Sequence, residues 1–136
     1  MERTKLAELY KKYSLDKKDI YQHKHYTIIT RQGIDKIQAV ENIDIHYEVI
    51  ESSKDYWAIK ATARVGETTI ETFGSALHGD YKSGNTTTWY VAEMAEKRAM
   101  SRAVLKLTGF YELGVFGEDE SEDFKRRDVK HLNANK

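Results

Sequence analysis

The sequence predicts an α+β domain: an antiparallel β-meander of three to four strands packed on one long C-terminal helix, preceded by short N-terminal helices. Three observations carry that expectation. Ile43, Ile45, Tyr47 and Val49 alternate with Asp44, His46 and Glu48, the period-two pattern of a strand with one buried face. Two further strand-like runs are joined by the tight turn Gly66-Glu67, which forces an antiparallel return. An alanine-rich stretch beginning near Asn85 or Thr86 keeps helical spacing to Thr108, where Gly109 is a natural stop.

In chain order, Thr4 to Tyr13 sets Leu6, Leu9, Tyr10 and Tyr13 at helical spacing among Lys5, Glu8, Lys11 and Lys12, with Thr4 as N-cap. Ser14-Leu15-Asp16 breaks this helix, and Asp16 is placed to cap a further turn through Tyr21. Tyr26 to Thr30 reads as a short strand, and Ile34 to Ala39 as one or two helical turns after Arg31-Gln32-Gly33. The meander occupies residues 43–76. Its second strand sets Trp57, Ile59, Ala61, Ala63 and Val65 on one face and Ala58, Lys60, Thr62 and Arg64 on the other. Residues 77–87 are rich in turn formers and read as a loop. After Phe116-Gly117, opposed charge blocks without an apolar pattern read as a tail, so residues 1–117 form one domain and 118–136 a charged extension.

At 136 residues, a single core of this size needs neither metal nor disulfide to hold it. The chain has no cysteine, which excludes disulfide scaffolds, thiolate catalysis and cysteine zinc sites, and makes the cytoplasm the expected compartment. No apolar run approaches the ~18 residues of a membrane span, so no membrane partner is expected. The 22 basic and 22 acidic residues cancel, but unevenly. Residues 1–40 carry +4, 41–80 carry −5, 81–112 carry +2, 113–124 carry −5 and 125–136 carry +4. Screening confines each block's field to about 8 Å at physiological salt, so a neutral total is compatible with a local basic groove.

On the long helix, Arg98, Arg102 and Lys106 recur at i, i+4 and i+8, beside a ridge of Ala92, Ala95, Ala99 and Ala103. Each four-residue step drifts only about 40°, so the three cations share one slowly winding stripe able to track phosphates. The bland reading of the same pattern is a solvated polar edge laced with ordinary pairs such as Glu93 and Lys97, and an alanine ridge that is core packing. Lys60 and Arg64 share a strand face, with Arg31, Lys36 and Lys82 in adjoining loops; they either guide a nucleic-acid strand or keep a wet sheet face soluble. Tyr81, Trp89 and Tyr90 are candidates for base stacking or for the core. His23 and His25 lack a third ligand, and no P-loop, nucleophile elbow, HExxH or dinucleotide fingerprint occurs. No catalytic constellation, metal site or cofactor is expected.

The strand ending Ile70-Glu71-Thr72-Phe73-Gly74-Ser75-Ala76, the polar loop, and then Ala95-Glu96-Lys97-Arg98-Ala99-Met100-Ser101-Arg102-Ala103-Val104-Leu105 together resemble phage and mobile-element single-strand annealing proteins, relatives of the eukaryotic Rad-fifty-two recombination mediator. The resemblance covers about residues 26–117. It implies a β-β-β-α core assembled as a homo-oligomeric ring or filament, with single-stranded DNA held by Lys97, Arg98, Arg102 and Lys106 on the helix and Lys60 and Arg64 on the hairpin. The function it implies is non-enzymatic: coating single strands and promoting their annealing. The alternative is a regulatory or structural interaction protein of a mobile element that uses its acidic segment, Glu118 to Phe124, to engage a basic partner.

Overall fold

The computed structural model describes residues 2–79 and 91–119. The expected α+β architecture is what the chain adopts. Helix α1 (Glu2–Lys12) is followed by a hairpin of β1 (Ile20–His23) and β2 (Tyr26–Ile29), then helix α2 (Arg31–Glu41). The meander follows as β3 (Asp44–Ser52), β4 (Tyr56–Val65) and β5 (Thr68–Leu77), antiparallel throughout and in that spatial order. The described part of the long helix, α3, spans Val91–Thr108, and a short 3-10 turn (Tyr111–Leu113) leads to β6 (Val115–Gly117). Strand β6 pairs parallel to β2, so a second sheet of order β1-β2-β6 lies apart from the meander.

The sequence reading placed Lys17 to Tyr21 in a helical turn and thereby missed β1. Asp16 does organise a turn there, its Oδ1 accepting from the Lys18 N–H at 2.8 Å, but from Ile20 the chain is extended and pairs Ile20 with Ile29. Four residues are too few for an alternation to stand out, and tertiary pairing decides such segments. Helix α2 starts earlier than expected, because Thr30 accepts from the Gly33 N–H at 3.2 Å as an N-cap, and it ends where Asn42 turns left-handed at φ 54°.

Side chains lock these N-terminal elements together. Asp19 is fully buried and receives the Lys36 ammonium at 2.7 Å and the Asp16 N–H at 3.1 Å. Burial pushes its carboxyl up, but the ammonium and the backbone donor outweigh this and hold it below its usual range. Tyr13, also buried, donates to Glu41 at 2.7 Å, joining the end of α1 to the end of α2. Burial first, and the Glu41 carboxylate second, push its phenol up to about 12. Its ring lies 5.9 Å from that of Phe110, which follows α3.

Helix α3 is the middle layer between the two sheets. Ala95, Ala99 and Ala103 are fully buried, as are Val104 and Leu105, so the alanine ridge belongs to the core. The ridge permits a close approach of backbones: a Cβ on Gly74 of β5 would overlap the Ala95 carbonyl oxygen and the Ala99 nitrogen. Beside it, the Thr72 hydroxyl donates to the Ala99 carbonyl at 2.7 Å. On the other side of α3, a Cβ on Gly117 of β6 would sit 2.9 Å from that of Ser101. Small residues therefore line both flanks of the helix where it touches a sheet. Replacing Gly74 by alanine forces α3 off the meander, and urea denaturation is expected to show a loss of about 3 kcal/mol; an unchanged midpoint would mean that the helix does not lie this close.

Candidate nucleic-acid interface

The six cations assigned to DNA by resemblance occupy unlike environments. Arg98 is 1% exposed. Its Nη1 donates to the Ser75 carbonyl at 2.9 Å and its Nε to the Asp119 carbonyl at 3.3 Å. Arg102 is half-buried and donates to the Phe73 carbonyl at 2.7 Å. Lys97 and Lys106 are exposed, the latter with its ammonium 5.2 Å from the centre of the Tyr111 ring.

The paired arginines have a geometric reason. Four residues of helix advance about 6 Å and two residues of strand about 6.8 Å, nearly the same distance. Helix α3 runs opposite to β5, so Arg98 meets Ser75 while Arg102 meets Phe73. Both carbonyls belong to β5, the strand at one margin of the meander. The two guanidiniums therefore donate where a further strand would otherwise donate. The i, i+4 stripe that reads from sequence as a phosphate track is, in the fold, a clamp holding α3 along the β5 margin.

Lys60 and Arg64 lie on the opposite face of the meander from α3, since their neighbours Ile59, Ala61 and Ala63 are the buried ones. That outer face also carries Asp44 and Glu48, in register with Arg64 and Lys60, and Glu71, in register with Thr62. Lys60 reaches Glu71 at 2.9 Å; this hydrogen bond, then the Glu48 and Glu71 charges, raises its ammonium above the ordinary value. Arg64 donates to the Gly66 carbonyl at 3.1 Å. The hairpin cations and the helix cations are thus separated by the thickness of the sheet. Lys97 and Lys106, nine positions apart, point to opposite sides of α3. No single groove gathers the six.

Arg31 and Lys36, read as loop residues, are on α2. Arg31 sits 3.4 Å from Asp35 and 3.7 Å from Asp119, and Lys36 is committed to Asp19. The start of the acidic segment is anchored as well: Glu118 accepts from the Arg31 N–H at 2.9 Å and Asp119 from the Ser101 hydroxyl at 2.9 Å. The boundary drawn at 117 therefore separates residues that pack together. Tyr81, Lys82, Trp89, Tyr90, the proposed start of the long helix and the segment from 120 onward lie outside the described residues.

Sequence reasoning missed the arginine clamp, although a signal was available. Met94, Met100, Val104, Leu105 and the alanines fall on so many sides of α3 that little arc remains for a wet stripe, and a helix apolar nearly all round is a buried one. It also passed over the lysines of the first segment. Lys5, Lys11, Lys17 and Lys18 are exposed on α1 and the turn after it. Among the described residues no three His, Asp or Glu side chains come together as a metal site, and no helix is long and apolar enough to cross a membrane.

Comparison with protein-family models, with curated proteins and with solved structures finds no match.

The burial contrast along α3 gives a direct expectation. Arg98→Ala leaves the Ser75 and Asp119 carbonyls without their charged donor and should cost about 3 kcal/mol in urea unfolding, whereas Lys97→Ala should stay within about 0.5 kcal/mol. Equal, small effects would return the Arg98 guanidinium to solvent.

Proposed function

We propose that this protein binds single-stranded DNA and promotes strand annealing in phage or mobile-element recombination, acting in the cytoplasm as a homo-oligomer without enzymatic chemistry. The observation that carries the reading is the order and packing of its core: three antiparallel strands followed by a helix pressed against their inner face, the β-β-β-α arrangement that the resemblance implies.

The distribution of charge shapes the mechanism. Among the described residues the exposed cations are Lys97 and Lys106 on α3, Arg64 at the tip of the hairpin, Lys24 and Lys54 in turns, and the lysines of α1 and its following turn. They are dispersed, and each contributes one weak, salt-sensitive phosphate contact. A single chain therefore holds a strand poorly, and several copies on one strand multiply such contacts while leaving the bases free to test a complement. Arg98 and Arg102 serve this role by holding α3 in place, with Lys97 and Lys106 presented to solvent.

Fluorescence anisotropy with a labelled single-stranded oligonucleotide tests the reading. Affinity should fall steeply with salt, and Lys97→Glu combined with Lys106→Glu should weaken binding and reduce the slope of log affinity against log salt by about 0.7 per contact removed. A chain that ignores single strands at low salt would sink the proposal.

A further inference from the structure

We infer that β3 is a dimerisation edge, pairing antiparallel with β3 of a second copy of this chain about a two-fold axis at Tyr47. The strand is nine residues long and lies at the margin of the meander opposite β5. All of it except Ile45 is exposed, including Tyr47 at 42%, Val49 at 51% and Ile50 at 51%. Tyr47 and Val49 belong to the inner face, because they stand in register with the buried Ala61 and Ile59. They are left open because α3 lies along β4 and β5. Charge rims this apolar strip: burial and then the Glu96 carboxylate raise the Tyr47 phenol, with Arg31 opposing. A long edge with an apolar inner side, paired on one side only among the described residues, invites another strand.

Two features point to a second copy as the occupant. The first is that the other margin is engaged. Arg98 and Arg102 already donate to Ser75 and Phe73 there, so copies do not add β3 to β5 in an open-ended sheet. Pairing of β3 with itself closes after two chains, as an isologous contact requires. The second is that the sequence of β3 is self-complementary in the register centred on Tyr47, which pairs more of the strand than an axis nearer its start. With Tyr47 on the axis, Ile45 faces Val49 of the second copy on the inner side, and His46 faces Glu48 of the second copy on the outer side, each pair occurring twice. Centring the axis on His46 instead sets Asp44 against Glu48, and centring it on Glu48 sets that carboxylate against its own copy; both are like-charge pairs, which are destabilising. The irregularity between Val49 and Glu51 bends the strand and marks where pairing ends.

This goes beyond the DNA-binding proposal and is tested on protein alone, so either can fail without the other. Because the chain has no cysteine, His46→Cys and Glu48→Cys each introduce a single thiol. Directly opposed residues lie about 4.5–5.5 Å apart and diagonal ones about 7–8 Å, beyond comfortable disulfide reach. Mild oxidation of the mixed variants should therefore give a covalent heterodimer, while each variant alone should give little. The parent chain should sediment as a dimer, and Val49→Lys, at an exposed position, should sediment as a monomer with unchanged circular dichroism. A monomeric parent chain, a dimeric Val49→Lys chain, or single variants that cross-link as readily as the mixture would overturn the pairing.

Discussion

The distance between α3 and the meander is fixed by backbone meeting backbone at Gly74, and most of the architecture follows from it. With Ala95 and Ala99 pressed onto a glycine, the helix axis sits so low over β5 that Thr72 can donate to a helical carbonyl. At that depth Arg98 and Arg102 reach the strand's carbonyls instead of water. The same low seat lets the second sheet close over the far side, where Gly117 meets Ser101 and the Asp119 carboxylate caps the contact. A helix carrying larger residues along its ridge would stand off, and both arginines would be released to solvent.

The two margins of the meander end up chemically different for this reason. Along β5 the helix supplies charged donors to strand carbonyls; along β3 it brings the Glu96 carboxylate near Tyr47 and leaves inner-face Tyr47 and Val49 open. The asymmetry separates stability from association. Groups that a surface-minded reading assigns to ligand binding hold the fold, and an ordinary-looking strand is left exposed. The exposed lysines, spread over α1, the following turn and α3, suit an assembly in which several copies share one polyanion.

The meander was legible in the sequence because alternation over residues 43–49 and the Gly66-Glu67 turn are local signals. The β4 faces and the alanine ridge came out where spacing put them, whereas the β3 face read as buried is covered only at Ile43 and, in part, Ile45, because α3 lies along β4 and β5. Of the β1-β2-β6 sheet only β2 was legible, as the short strand from Tyr26; β1, β6 and the pairing were not. The strands of this sheet are three or four residues long, and one pairing joins residues near 28 to residues near 116, a contact no local pattern encodes. The arginines misled for a related reason. Helical spacing gives the direction of a side chain relative to its own axis, but not the depth at which the axis lies, and that depth is set by a glycine more than twenty residues away.

Native-state hydrogen exchange across α3 and β5 tests this account most directly. If the helix is the closely held middle layer, the amides of Ala99, Met100, Ala103 and Val104 exchange only through global unfolding, and the Arg98 Nε–H is protected with them. Fast exchange of α3 through local opening, at a free energy well below that of β4, would contradict it.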